Sequence, residues 1–352
     1  GYNYRASSSL SIQEPFPKPP WPVRVAERLG LGVGGTFIAV TLLLASLPTA
    51  NVIWAVNAAD FPANDIFNAL VKVWVNAAAV GYAYAFLVWS VYRTRDDLTA
   101  CMALFDHGDF RQMVAEVIAE GSSRAIVTGA AAGFLVFVLL NLILFDGWDV
   151  ITGNTPLNLL YAWGSPMFLV LWLSLFYCVT ILAVMTHRLG SVSTHHLRVD
   201  LLDVDVLAAI PAIGVRLTLA AAVGLTAVIV QIVLTREVNI FDWLPPTIVV
   251  AVFGSWTILR PLVGTHRAIA CEKARELERV DAAINALGTR DINTITSERF
   301  ARLVLWRNTV LDTSEWPLSR SSVARLLFYV VLPPAAWLIA VSIEVLVEVA
   351  IN

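Results

Sequence analysis

Residues 193–205 read STHHLRVDLLDVD: two adjacent histidines, then three carboxylates, in a chain that is otherwise largely apolar. Two interpretations compete. Either the stretch is a metal or catalytic centre, or it is the wet border of a protein embedded in lipid. On a helix, His196, Asp200 and Asp203 fall at i, i+4 and i+7 and form one polar stripe, while Leu197, Leu201 and Val204 form an apolar one. One imidazole and two carboxylates could bind a divalent ion that accepts nitrogen and oxygen. The same spacing is that of an amphipathic helix lying at an interface, and the surrounding sequence decides between them.

That surrounding sequence is oil. Hydrophobic residues make up 58% of the 352 positions and charged residues 14%, and mean hydropathy is +0.71, outside the balance of a water-soluble domain. The expected class is all-α: a polytopic helical membrane protein with the lipid bilayer as its main partner. A net charge of −3 gives no basic field of the kind nucleic acid attracts, so no nucleic-acid partner is expected. Three cysteines without a CxxC pair provide neither a disulfide framework nor zinc-finger spacing. Arginine greatly outnumbers lysine, a bias that suggests a GC-rich bacterial genome and hence the inner membrane.

A bilayer crossing takes about 20 apolar residues. Runs of that kind lie at about Gly32–Val56, Ile66–Val91, Ala125–Phe145, Leu157–Thr186, Leu217–Leu234, Leu244–Gly264 and Val323–Val349. The last of these seven must kink at Pro333-Pro334. Threading the chain through them leaves 22 of the 24 basic residues on one side; only Arg236 lies opposite, and Lys72 lies within the second run. Basic residues stay in the cytoplasm during insertion, which predicts a cytoplasmic N-terminus and an external C-terminus, or a cytoplasmic C-terminus if the final segment merely dips into the membrane. The opposite connections, AADFPAND (58–65), FDGWD (145–149) and REVNIFDW (236–243), are short and acidic.

The organisation expected is a Pro-rich arm over 1–27, a six-span membrane domain over 28–265, amphipathic cytoplasmic helices over 266–318 and a C-terminal membrane segment over 319–352. The first six spans pair into three out-and-back transmembrane hairpins, and the kinked seventh follows. Each outgoing span opens with an arginine and small residues: Arg28 before GLGVGG, Arg124 before AIVTGAAAG and Arg216 before LTLAAAVG. Gly129 and Gly133 form a GxxxG pair suited to close helix packing in lipid. Gly30, Gly32 and Gly35 match the dinucleotide pattern GxGxxG as text, but no strand precedes them and TFIAVTLLLASL follows, so nucleotide binding is excluded. Residues 266–287 and about 297–312 are amphipathic, and they could pair with each other, receive a cytoplasmic protein or lie on anionic lipid.

Polar residues within the apolar runs are few. Lys72, Asn76, Asn141 and Gln231 could line an outward-facing vestibule with Asp60, Asp65 and Asp146 around its mouth, favouring cations at the entrance. The plainer alternative is that Lys72 snorkels to water and the amides bridge helices. Gly164, Ser165 and Pro166 in the fourth run, and Gly254 and Ser255 in the sixth, are candidates for helix breaks whose freed carbonyls bind ions in transporters. On the inner side, His187, His196, Asp200, Asp203 and His266 are candidate metal ligands if the hairpins converge. No HExxH and no GxSxG occurs, and no lysine in the last run could carry a retinal, so an enzyme is not the expected class and no cofactor is expected. The leading expectation is a channel or transporter for a small ion or solute, compatible with a homo-oligomer. The rival is a non-catalytic membrane scaffold, sensor or accessory subunit that binds a partner through residues 266–312. A metal-dependent membrane enzyme at the inner interface is the third.

Overall fold

The computed structural model describes residues 19–58, 61–105, 110–144, 164–218, 240–288 and 297–316. These residues are helical apart from short turns and one isolated antiparallel bridge, Phe105 to Leu197. The helices are α1 (Trp21–Arg28), α2 (Val33–Ala58), α3 (Ala63–Ala100), α4 (Phe110–Ile118), α5 (Ser123–Leu144), α6 (Gly164–His196), α7 (209–218), α8 (Ile240–Gly288) and α9 (Ser297–Asp312). Four stretches are long and apolar enough to cross a membrane: Val33–Asn57, Ala63–Ala100, Phe110–Val138 and Leu169–His196.

Helices that follow one another pack antiparallel, and small residues set how closely. Along α2 and α3, Val52 and Ala55 meet Ala69, Ala45 meets Val73 and Ala77, and Gly81 faces the Phe37 carbonyl, where an added Cβ would sit 2.9 Å away. On α5, the expected GxxxG pair packs on α6, Gly129 against Thr180 and Gly133 against Phe176 and the Trp172 carbonyl. The α5 start is capped by Ser122, whose Oγ accepts from the Ala125 amide at 3.3 Å. Between α7 and α8, Gly214 abuts the Thr257 carbonyl and Gly254 abuts Thr218.

Alpha6 and α8 run parallel and nearly touch backbones at Gly190 and Gly264; a Cβ on Gly190 would lie 2.6 Å from the Arg260 carbonyl. The largest core cluster joins α1, α3, α4, α6, α7 and α8 through Val23, Leu87, Leu98, Met113, Ile118, Ile181, Leu189, Ile213 and Phe253. Large apolar side chains also point outward, among them Ile38, Leu42, Leu43 and Ile53 on α2, Leu135 on α5 and Leu259 on α8. Contiguous exposure of this kind is what lipid, and not water, accommodates.

Three expectations are corrected. The stretch 193–205 is not one amphipathic helix: α6 ends at His196, Leu197 forms the bridge, and the Arg198 amide donates to the Leu104 carbonyl at 2.7 Å. Asp200 then turns the chain, its Oδ1 accepting from the Leu202 amide at 3.0 Å, and a 3₁₀ turn spans Val204–Ala208. Backbone pairing with 104–105 and an aspartate turn outcompete helix propensity there.

Second, residues 11–22, whose five prolines predict an extended polyproline arm, give way to helix already at Trp21. Pro22 in the first turn needs no amide partner, so Trp21–Arg28 forms α1. Gly30 at φ 65° ends it, with the Gly30 and Leu31 amides donating to the Glu27 and Ala26 carbonyls. The glycine that opens the GxGxxG text pattern is thus a helix C-terminal residue. Third, α8 passes without interruption through Pro261 and through residue 265, so the sixth apolar run and the amphipathic stretch after it form one 49-residue helix, about 73 Å long.

Candidate functional site

Of the vestibule residues, Lys72 and Asn76 lie one turn apart on α3 and Asp65 lies in its first turn. Asn76 is buried, and its Nδ2 donates to the Lys72 carbonyl at 2.9 Å, so the amide is engaged within its own helix. Asn141 lies on α5, with its side chain outside the described residues; Asp60, Asp146 and Gln231 lie outside them altogether. Gly164, Ser165 and Pro166 occupy the first positions of α6. Gly254 and Ser255 are within unbroken α8, and Gly254 acts as a contact residue toward Thr218.

Several buried or half-buried hydroxyls in the helices return to their own backbones. Thr36, Thr180, Thr186 and Ser193 donate to Gly32, Phe176, Leu182 and Leu189 at 2.7–3.0 Å. Thr218 and Thr257 bridge α7 and α8, their Oγ atoms 2.7 Å apart, and Thr257 also donates to the Gly254 carbonyl. These bonds satisfy polar groups inside an apolar body and hold helix pairs in register.

The candidate metal ligands do not converge: among the described residues no group of three or more His, Cys, Asp or Glu is arranged to hold an ion. His187 stacks on Trp256 with ring centroids 6.4 Å apart, and the Arg260 guanidinium lies over the same indole at 4.0 Å. The Trp256 Nε1 donates to the Ala183 carbonyl. His266 stacks on Trp316 at 4.2 Å and its Nδ1 lies 3.0 Å from the Glu315 carbonyl. Asp200 makes its turn, and His196 adjoins His195 edge to face.

Two constellations escape a reading by spacing alone, because each joins distant segments. The first lies around α1. Arg24 pairs with Glu120 at 3.0 Å; Glu120 also accepts from the Tyr177 hydroxyl at 3.3 Å; and Trp21 meets Tyr84 edge to face at 5.2 Å. Tyr84 in turn exchanges a hydrogen bond with Ser174. Nearby, Arg188 on α6 donates to the Glu116 and Ala119 carbonyls and caps α4, while Asp97 at the end of α3 pairs with both Arg93 and Arg216. Partial desolvation pushes the Glu27 carboxyl above its ordinary range, with Arg95 pulling it down. Burial likewise pushes the Cys101 thiol up, as does Asp97, against Arg216.

The second constellation ties α9 to the far half of α8. Lys273 on α8 donates to the Leu311 and Thr313 carbonyls, each at 2.9 Å, and lies 3.5 Å from Glu315, so one ammonium caps the C-terminus of α9. Trp306 donates to Glu276 at 3.0 Å and Arg307 to Asp281 at 2.7 Å. The Thr313 hydroxyl reaches the Leu201 carbonyl at 3.4 Å, which fastens the α8–α9 hairpin to the 193–205 strap. The only sequence signal for this was the amphipathic spacing of both helices. None of these groups is set up as nucleophile and base; the arrangement orients helices and presents a charged, helical surface. No protein-family model, no curated protein and no solved structure matches the chain.

Proposed function

We propose that the chain is a multi-pass membrane scaffold, sensor or accessory subunit that transmits through, or recruits a partner to, its α8–α9 hairpin. The observation that carries this is the continuity of α8. One helix runs from an apolar half, locked to α6 at Gly190 and Gly264, into a charged half that Lys273 joins to α9. A displacement of α6 would therefore be passed to the hairpin without a joint to absorb it. In this arrangement the arginine-rich side faces the cytoplasm of a bacterial inner membrane, and the six apolar runs up to residue 265 form three hairpins crossing the bilayer. The exposed Leu305 on α9 supplies the apolar anchor for a protein partner.

The test is isolation of the tagged full chain from its native membrane into nanodiscs. A stoichiometric protein that is lost on Leu305→Asp, with the fold intact, supports the proposal. Recovery of the chain alone, or of a protein indifferent to that change, contradicts it.

A channel or transporter for a small ion or solute is the second reading, favoured by buried Asn76 one turn from Lys72 in an enclosed apolar helix. It predicts flux through the purified chain in liposomes that Lys72→Ala reduces; absence of flux for every ion or solute tried removes it.

A further inference from the structure

Alpha1 has two faces of different character. Pro22, Val23 and Ala26 are buried against α3 and α6, whereas Trp21, Val25 and Leu29 are exposed to 42%, 43% and 66%. The exposed positions recur at i, i+4 and i+8, one face of a helix, and Arg24 and Arg28 flank them on the same side. An apolar stripe edged by arginines, with an indole at one end, has the chemistry of a helix lying in the plane of an anionic lipid surface.

The Gly30 turn separates α1 from α2, on which Phe37 and Ile38 are likewise exposed. Arg24 is already paired with Glu120, which holds the helix in place. Arg28 is exposed in the last turn. With Arg24 paired to Glu120, the exposed Arg28 and the indole at the other end of the apolar stripe select an anionic lipid occupant over a protein one.

We propose that α1 is a lipid-reading helix: Trp21, Val25 and Leu29 seat at the headgroup boundary of an anionic leaflet, and Arg28 holds a lipid phosphate. The inference rests on the membrane placement proposed above. It adds a specificity for headgroup charge that placement alone does not require, and a route by which lipid composition reaches the Trp21–Tyr84 and Arg24–Glu120 contacts.

The experiment is hydrogen exchange of the full chain in nanodiscs of phosphatidylcholine alone and of phosphatidylcholine with a minority of phosphatidylglycerol. The expected result is exchange of amides 24–31 slowed about fivefold by the anionic lipid, the effect of one arginine at a charged surface. Arg28→Gln should abolish the difference between the two discs, Arg28→Lys should keep it, and inorganic phosphate added to the neutral discs should not reproduce it. Equal exchange in both discs, slowing that survives in Arg28→Gln, or slowing by inorganic phosphate would overturn the proposal. Exchange across α3 and α6 separates this from the membrane placement itself: if those helices are unprotected in both discs, the placement fails, whereas protected helices with an indifferent α1 remove only the lipid-reading role.

Discussion

Two halves of the same helix hold their neighbours by opposite means. From Gly254 to Gly264, α8 meets α6 and α7 backbone to backbone, through Gly190, Gly214 and the Thr218–Thr257 hydroxyl pair. From Lys273 to Asp281 it meets α9 through long charged side chains: the Lys273 cap, the Trp306–Glu276 bond and the Arg307–Asp281 pair. In lipid there is no hydrophobic gain from burying apolar surface, so association relies on close van der Waals approach and satisfied backbone groups. In water, charged side chains can reach across a wider gap without having to be desolvated first. In the arrangement proposed above, this change of contact along α8 falls where the helix leaves the bilayer.

The sharpest way to break this contrast is to thicken the seam. A Cβ at Gly264 or Gly214 would collide with the Gly190 or Thr257 backbone, which cannot rotate away. Gly264→Ala should cost about 2–3 kcal/mol, read as the thermal midpoint of the full chain in nanodiscs, with little dependence on salt. Next in size is removal of the α9 cap: Lys273→Met should cost about 1–2 kcal/mol, confined to faster hydrogen exchange over 297–316, because two carbonyls and a dipole end lose their donor. Higher ionic strength should speed exchange in the hairpin while leaving the seam unchanged.

Arg302 and Glu298 pair on the exposed face of α9 with side chains 77% and 74% accessible, and Arg302→Gln should change stability by less than about 0.5 kcal/mol. The smallest effect concerns pH at α1. Glu27 is exposed, but partial desolvation against its neighbours still raises its carboxyl, so the folded state binds its proton somewhat more tightly than the unfolded chain. The corresponding stability is fully present below the ordinary carboxylate value and is lost as pH rises through the raised one. Glu27→Gln should abolish that slope in exchange of amides 24–31.

Much of the architecture can be read directly from residue order. Apolar run length marks α2, α3, α5 and much of α6, and the GxxxG pair marks the α5 contact, because both depend on residue type at fixed spacing. The 193–205 strap misleads because its helical periodicity is real but loses to the Leu197 bridge and the Asp200 turn, which involve residues some ninety positions away or a local side-chain competition. Continuity of α8 is hidden by the change at 265 from an apolar run to an amphipathic one, and Pro261 within the helix does not break it. In the structure the carbonyl of Thr257 that loses its amide partner faces Gly214 instead. Arg24–Glu120 and Lys273–Leu311 join residues whose distance in sequence carries no signal.

In the proposed arrangement, residues 193–205 and the α8–α9 hairpin lie on one side of the membrane. The direct measurement is labelling by a membrane-impermeant maleimide in sealed vesicles of known orientation, using the exposed native Cys271 and a Leu202→Cys variant in which Cys271 is replaced by serine. Both sites should react in inside-out vesicles and be protected in right-side-out ones. Labelling of the two sites from opposite sides, or of both in right-side-out vesicles, would contradict it.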